Sequence, residues 1–274
     1  MKLSIVVSAQ PTKFGAATLK GDFEENLARI AELGYDGVEP AVRDPSVVDQ
    51  EGLLAAIRRY DLEAPAIGTG QAWGEEGLSF SDRDAGVRRT AIDRVKSHLP
   101  LAAEAGSMII IGLIRGTVKP GVGRDQAIDW MVEALGECCE AAAPLGVRLV
   151  VEPLNRYETA LVNTAGEGLE LIRRVGADNL GLLLDTFHMN IEEPSIEESM
   201  RLAGDRMFHF HVADSNRWYP GAGHLDFRGI LGLLKELGYA GYVSGEFLPM
   251  PDALMAAGRA ISHLQEVMPS NGGK

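Results

Sequence analysis

Cysteine is nearly absent from the 274-residue chain, which carries two, Cys138 and Cys139, side by side in a helix-like stretch. Adjacent residues cannot form an ordinary disulfide with each other, so nothing points to an oxidising compartment, and both thiols read as core or helix-surface groups. Basic charge is scarce as well. Against 39 Asp and Glu stand 26 Lys and Arg, a formal net charge of −13, and the isoelectric point is near 4.9. A nucleic-acid partner is therefore not expected, because affinity for a polyanion comes largely from neutralising phosphates. No apolar run approaches the roughly 20 residues that cross a bilayer. The opening MKLSIVVSAQ has one early positive charge and too short an apolar stretch for a signal peptide. A cytoplasmic protein with no membrane partner is the expectation. Two further absences bear on architecture: no G-x-G-x-x-G follows the first strand-like run, which weighs against a doubly wound dinucleotide fold, and no low-complexity or Pro/Ser-rich linker suggests a second domain.

The chain does have a repeating alternation of short apolar runs and amphipathic stretches. Hydrophobic residues make up 46% of the composition and charged residues 24%, enough to bury a large core. Strand-like runs at Leu3 to Val7, Gly37 to Glu39, EAPAIG, SMIIIG, VRLVVE, LGLLLD, MFHFHV and GYVSGE alternate with helical periodicity. The predicted helices cover Phe23 to Leu33, the stretch through Leu53, Ile57 and Tyr60, Ala91 to Ala105, Ile128 to Ala142, Ala165 to Val175, Ile196 to Ala203, Ile230 to Leu237 and Ala253 to Val267. The terminal SNGGK reads as a frayed end. Eight β-α units predict a single-domain (β/α)8 TIM barrel over residues 1–274, with its functional site on the face where the strands end.

Four of the later strands close on residues of one chemical kind. VVEPLNR ends in Glu152, LGLLLDTFH in Asp185 and His188, MFHFHVADSNR in His211 and Arg217, and YVSGEF in Glu246. A lone Glu at a strand end is usually a solvated loop residue or a helix cap, but four potential ligands on four consecutive strands are harder to dismiss. Side chains alternate faces along a strand, so Glu152, Asp185 and Glu246 would share the inward face. Carboxylates gathered there repel one another unless a cation neutralises them. Three carboxylates and one imidazole suit Mn²⁺, Mg²⁺ or Co²⁺, with Zn²⁺ also open. His209, two residues before His211 on the same face, is expected a layer deeper as a hydrogen-bonded core histidine. His188 sits where it would meet a substrate hydroxyl, or is a plain loop histidine. Arg217 would stabilise charge on a substrate oxygen, or pair with a carboxylate. Glu158 is a weaker hydroxyl-binding candidate, Asp226 reads first as a helix cap, and His98 and His263 are expected on helix surfaces.

These segments carry a resemblance. VEPLNRYE, LDTFHMNIEEP, FHVADSNR, PGAGHLDF and SGEF, in this order and spacing, resemble the sugar isomerase and epimerase family with a xylose-isomerase-like barrel. The likeness is to its D-tagatose 3-epimerase, D-allulose 3-epimerase and L-ribulose 3-epimerase group. IGTGQAWGEEGLS and IIIGLIRG extend it, more loosely, into the first half. The resemblance implies a metal-dependent isomerase with Glu152, Asp185, His211 and Glu246 as ligands, usually of Mn²⁺. It implies His188 and Arg217 as contacts to substrate oxygens and Glu158 as a contact to a terminal hydroxyl. Glu152 and Glu246 would act as two opposed bases that epimerise a free ketose through an enediolate. Selectivity is expected from Phe14, Trp73, Glu75 and Arg115 in the loops after strands one to four, and barrels of this family commonly form dimers or tetramers. The same ligands would serve a hydroxypyruvate-isomerase-like aldose-ketose isomerase or a sugar lyase or dehydratase, and a non-catalytic sugar-binding protein is the alternative of a different class.

Overall fold

The structure, a computed structural model, describes residues 1–269. The SNGGK segment expected to fray lies outside the described residues. Eight parallel strands close on themselves in sequence order: β1 (Lys2–Ser8), β2 (Gly37–Ala41), β3 (Ala66–Gly68), β4 (Met108–Ile111), β5 (Leu149–Val151), β6 (Leu180–Asp185), β7 (Met207–Val212) and β8 (Tyr242–Gly245). The last pairing, Ile5 beside Gly245, closes the ring. Helices connect the strands, as the (β/α)8 reading requires.

Strand alternation divides the apolar residues into two sets. Ile109, Ile111, Leu149, Val151, Leu182 and Leu184 pack with the helices in the large outer core. Their alternates Ile110, Val150 and Leu183 join Ala66 and Met108 in a small separate cluster inside the ring. Continuing the alternation past Val150 and Leu183 aims Glu152 and Asp185 inward, just above that apolar floor.

Helix boundaries follow local chemistry. The Asp22 side chain accepts from the backbone N–H of Glu25 to start the helix Phe23–Leu33, and Gly34, at φ 88°, ends it in the left-handed region. Similar side-chain caps start Gln50–Arg59, Ala165–Val175, Ile196–Ala203, Phe227–Glu236 and Ala253–Val267. Asp226 is the cap expected of it, accepting from Gly229 N at 3.1 Å. The expected continuous helix from Ala91 to Ala105 is instead two, Ala85–Ser97 and Leu99–Ala105, because Pro100 cannot donate into the preceding turn. His98 occupies the break and is not a surface residue. It is fully buried, with its ring nitrogens each 2.8 Å from a carbonyl oxygen, of Arg94 and of Val42. His263 is half-buried and meets Phe227 edge-on. Among the described residues no helix is long and apolar enough to cross a membrane.

Candidate metal centre and active site

At the mouth of the ring, Glu152, Asp185, His211 and Glu246 each offer one ligand atom, all within 4.8 Å of one another. The pairing of Asp185 with His211 across β6 and β7 fixes part of this geometry in the sheet itself. Asp185 uses Oδ1 to accept from Phe187 N at 2.7 Å, capping the short helix Thr186–Glu192. Its Oδ2, together with Glu152 Oε1 and His211 Nδ1, is buried without a hydrogen-bond partner.

Buried polar atoms are normally satisfied, so these three orphans in one cluster, from two carboxylates and an imidazole, have the chemistry of a divalent-cation site. Electrostatics agrees. Burial and the neighbouring Glu246 and Asp185 push the Glu152 carboxyl well up, and burial raises Glu246 to about 7. For His211, burial favours the neutral ring, but Glu39, Glu246 and Glu152 outweigh it and push the imidazole up to about 10. The cluster calls for positive charge, and protons or a metal supply it.

Sequence reasoning missed Glu39. It projects from β2 into the ring, accepting from His209 Nε2 at 2.7 Å and from His211 Nε2 at 2.9 Å. Burial alone would raise its carboxyl, but the two imidazoles hold it well below the usual range. Because a carboxylate only accepts, both rings donate from Nε2, and Nδ1 is the His211 nitrogen left for a cation once the proton favoured there by the surrounding carboxylates is displaced. His209 is the deeper, hydrogen-bonded histidine anticipated from the strand alternation. A signal for Glu39 was present: GVEP in β2 repeats the VVEP that ends β5.

The other predicted residues divide between those that face the cavity and those that do not. His188 is buried with Nδ1 accepting from the Asn155 backbone N–H at 3.2 Å and its side-chain amide at 2.8 Å. Its proton is therefore on Nε2, which lies 3.8 Å from Glu152 Oε1 and has no hydrogen-bond partner. Burial and the positive charge of Arg217 keep the ring neutral, well below its ordinary value. Arg217 donates to Glu158 at 2.7 Å, stands 3.6 Å from Glu246 and lies over the Phe187 ring. Its backbone is left-handed at φ 61°, held there by Asp214 O, which accepts from Arg217 N at 2.7 Å, and by Arg217 O, which accepts from Leu248 N at 2.8 Å. Asp214, a second residue the sequence did not reveal, organises this loop. Its buried carboxylate accepts from the backbone N–H groups of Ser215, Gly221 and Leu225, and a Cβ on Gly223 would lie 2.2 Å from it.

Glu152, Glu246, Glu158, Arg217 and Phe14 line one cavity at the mouth of the ring. Trp73 is not among its lining residues; it is half-buried on the short helix Gln71–Glu76. Glu75 serves the loop after β1, accepting from Thr12 Oγ1 at 2.8 Å and Lys13 N at 3.0 Å. Arg115 corrects the expectation of a sugar contact. It is fully buried, and its guanidinium donates to the carbonyls of Leu161, Val162, Gly112 and Glu152. It ties the turn after β4 to the segment that carries Glu152 and does not face the cavity.

Residues 27–267 match the xylose isomerase-like TIM barrel family. The L-ribulose 3-epimerase of Mesorhizobium japonicum is 33% identical over 238 residues, covering 85% of this chain and 78% of that protein. The D-psicose 3-epimerase of Agrobacterium fabrum is 32% identical over 225 residues, covering 81% and 78%. A solved L-ribulose 3-epimerase superposes with a TM-score of 0.82 at 27% identity, over 97% of this chain and 95% of that one. The carboxylate and imidazole cluster thus sits at the strand ends of a chain that belongs to the xylose isomerase-like TIM barrel family.

Proposed function

We propose that the protein is a metal-dependent ketose 3-epimerase acting on a free keto-sugar. The observation that carries this reading is that two carboxylates, Glu152 after β5 and Glu246 after the non-adjacent β8, line one cavity and belong to a single cluster of ligand atoms. Inversion at a carbon needs a base on each side of it, and binding alone has no use for such a pair. The relatives named as 3-epimerases support the same reading.

A divalent cation held by Glu152, Asp185, His211 and Glu246, Mn²⁺ foremost and Mg²⁺, Co²⁺ or Zn²⁺ with the same donors, supplies Lewis acidity to a substrate carbonyl and its neighbouring hydroxyl. One glutamate removes the proton from the carbon beside the carbonyl, giving an enediolate, and the other returns a proton to the opposite face. Neutral His188 donates from Nε2 to a substrate oxygen. Arg217 places positive charge where the oxygen becomes negative, and Glu158 both orients Arg217 and accepts from a substrate hydroxyl. A phosphorylated sugar is disfavoured, because the cavity's guanidinium is already engaged by Glu158 and the other charged groups around it are carboxylates.

The test is a panel of ketoses incubated with the Mn²⁺-loaded protein and resolved by chromatography. The 3-epimer of at least one ketose is the expected product. Conversion to aldose alone would establish the isomerase instead, and binding of sugar with no conversion would establish a non-catalytic role.

A further inference from the structure

The cavity wall built by β1 to β4 is mostly apolar or bare: Val6, Ala41, Gly68, Ile110, Gly112 and Leu113 contribute no polar side-chain atom. Three polar side chains interrupt it. Glu39 is engaged by two histidines, and Thr69 spends its hydroxyl proton on the Ile110 carbonyl at 2.6 Å. The third is Gln71, 4% exposed, whose Oε1 is buried with no hydrogen-bond partner.

The amide cannot relieve this by turning over. Ser8 Oγ donates its single proton to the Gln10 carbonyl at 2.5 Å, so towards Gln71 that oxygen can only accept. The amide therefore presents Nε2 to Ser8, at 2.9 Å, and keeps Oε1 as an unmatched acceptor. Gln10 is itself fixed, with its Oε1 accepting from the backbone N–H groups of Arg43 at 2.8 Å and Asp44 at 3.0 Å. A buried acceptor locked in this way is costly unless a ligand or a bound water supplies a donor.

We propose that Gln71 determines sugar specificity by accepting a hydrogen bond from a hydroxyl on the carbons remote from the reacting carbonyl, so that the enzyme selects ketoses with a free hydroxyl in that tail. The inference rests on the proposed epimerase function. A site with a committed hydrogen-bond partner rejects an analogue lacking the hydroxyl far more strongly than an apolar pocket rejects a small change in shape.

The experiment compares kcat/KM for a ketohexose that the wild-type protein converts with kcat/KM for its 5-deoxy and 6-deoxy counterparts, in wild type, Gln71→Leu and Ser8→Ala. In wild type, loss of one of the two hydroxyls is expected to lower kcat/KM by about 10- to 100-fold. That penalty is expected to shrink to about threefold or less in Gln71→Leu. It should fall partway in Ser8→Ala, which frees the amide to turn without altering the wall. Retention of the full penalty in both variants, or no penalty in wild type at either position, overturns the inference while leaving the epimerase reading intact. A wild-type protein that converts no ketose overturns both.

Discussion

Glu39 Oε1 lies 2.9 Å from Nε2 of His211, and this bond decides which side of the imidazole is available to a cation. With Nε2 occupied as a donor, Nδ1 is the ring nitrogen left to face a cation. Replacing the carboxylate with an amide in Glu39→Gln removes the charge that makes His211 a strong ligand. Metal affinity should fall about 10- to 100-fold, the usual effect of losing a group that orients a ligand. Competition against a chelating dye measures it, and an affinity within about twofold of wild type would contradict the assignment.

Glu246→Gln retains a ligating oxygen but cannot exchange a proton with carbon. We expect kcat to fall by about 10²- to 10⁴-fold, the range for removing a general base. The metal-free variant at pH 8 should melt no lower than wild type, because one member of a mutually repelling cluster has gone. Steady-state kinetics and thermal unfolding report the two effects separately. Full activity in this variant would exclude the two-base mechanism.

Metal binding should depend steeply on pH. Burial raises Glu246 to about 7, and burial with its carboxylate neighbours also pushes Glu152 well up. A cation must displace the protons held by these carboxyls and by His211, itself pushed up to about 10, so affinity falls as pH drops and falls more steeply below pH 7, where the carboxyls hold protons as well. The fall should reach about tenfold per unit for each proton displaced. Calorimetric titration with Mn²⁺ at pH 6 and pH 8 in buffers of different ionisation enthalpy would detect proton release. Equal affinity at both pH values would count against this set of ligands.

Arg115→Met should be a folding variant rather than a specificity variant. The guanidinium satisfies carbonyls of Gly112, Glu152, Leu161 and Val162 in a fully buried position. Methionine fills part of the volume and leaves those acceptors unmatched, at a cost of about 3–5 kcal/mol. Denaturant unfolding would show it, and a loss under about 1 kcal/mol would mean that the carbonyls find other partners.

The parts of this structure legible in the sequence are those encoded locally. An apolar strand closing on a carboxylate carries its own direction, so Glu152, Asp185, His211 and Glu246 could be brought together from strand alternation and the barrel alone. What was not legible depends on contacts distant in sequence. Glu39 acquires its meaning from histidines 170 and 172 residues away. Arg115 read as a selectivity residue of the loops after strands one to four because nothing local shows that the turn after β4 carries its guanidinium to the carbonyls of Glu152, Leu161 and Val162. His98 read as a helix-surface residue because the break before Pro100, which buries the ring, was not recognised. The helix Thr186–Glu192 was missed because it is only 7 residues long, too short for its periodicity to show, yet it carries His188, 3.8 Å from Glu152, and Phe187, on whose ring Arg217 lies.

The central claim is that Glu152 and Glu246 exchange a proton with one sugar carbon from opposite sides. It is tested most directly by incubating the Mn²⁺-loaded protein with a ketose substrate in D₂O and reading both epimers by NMR. Solvent deuterium is expected at carbon three, with the inverted epimer formed and the carbonyl still at carbon two. Epimers that interconvert with no deuterium at carbon three, or a metal-loaded protein that labels no ketose, would contradict it.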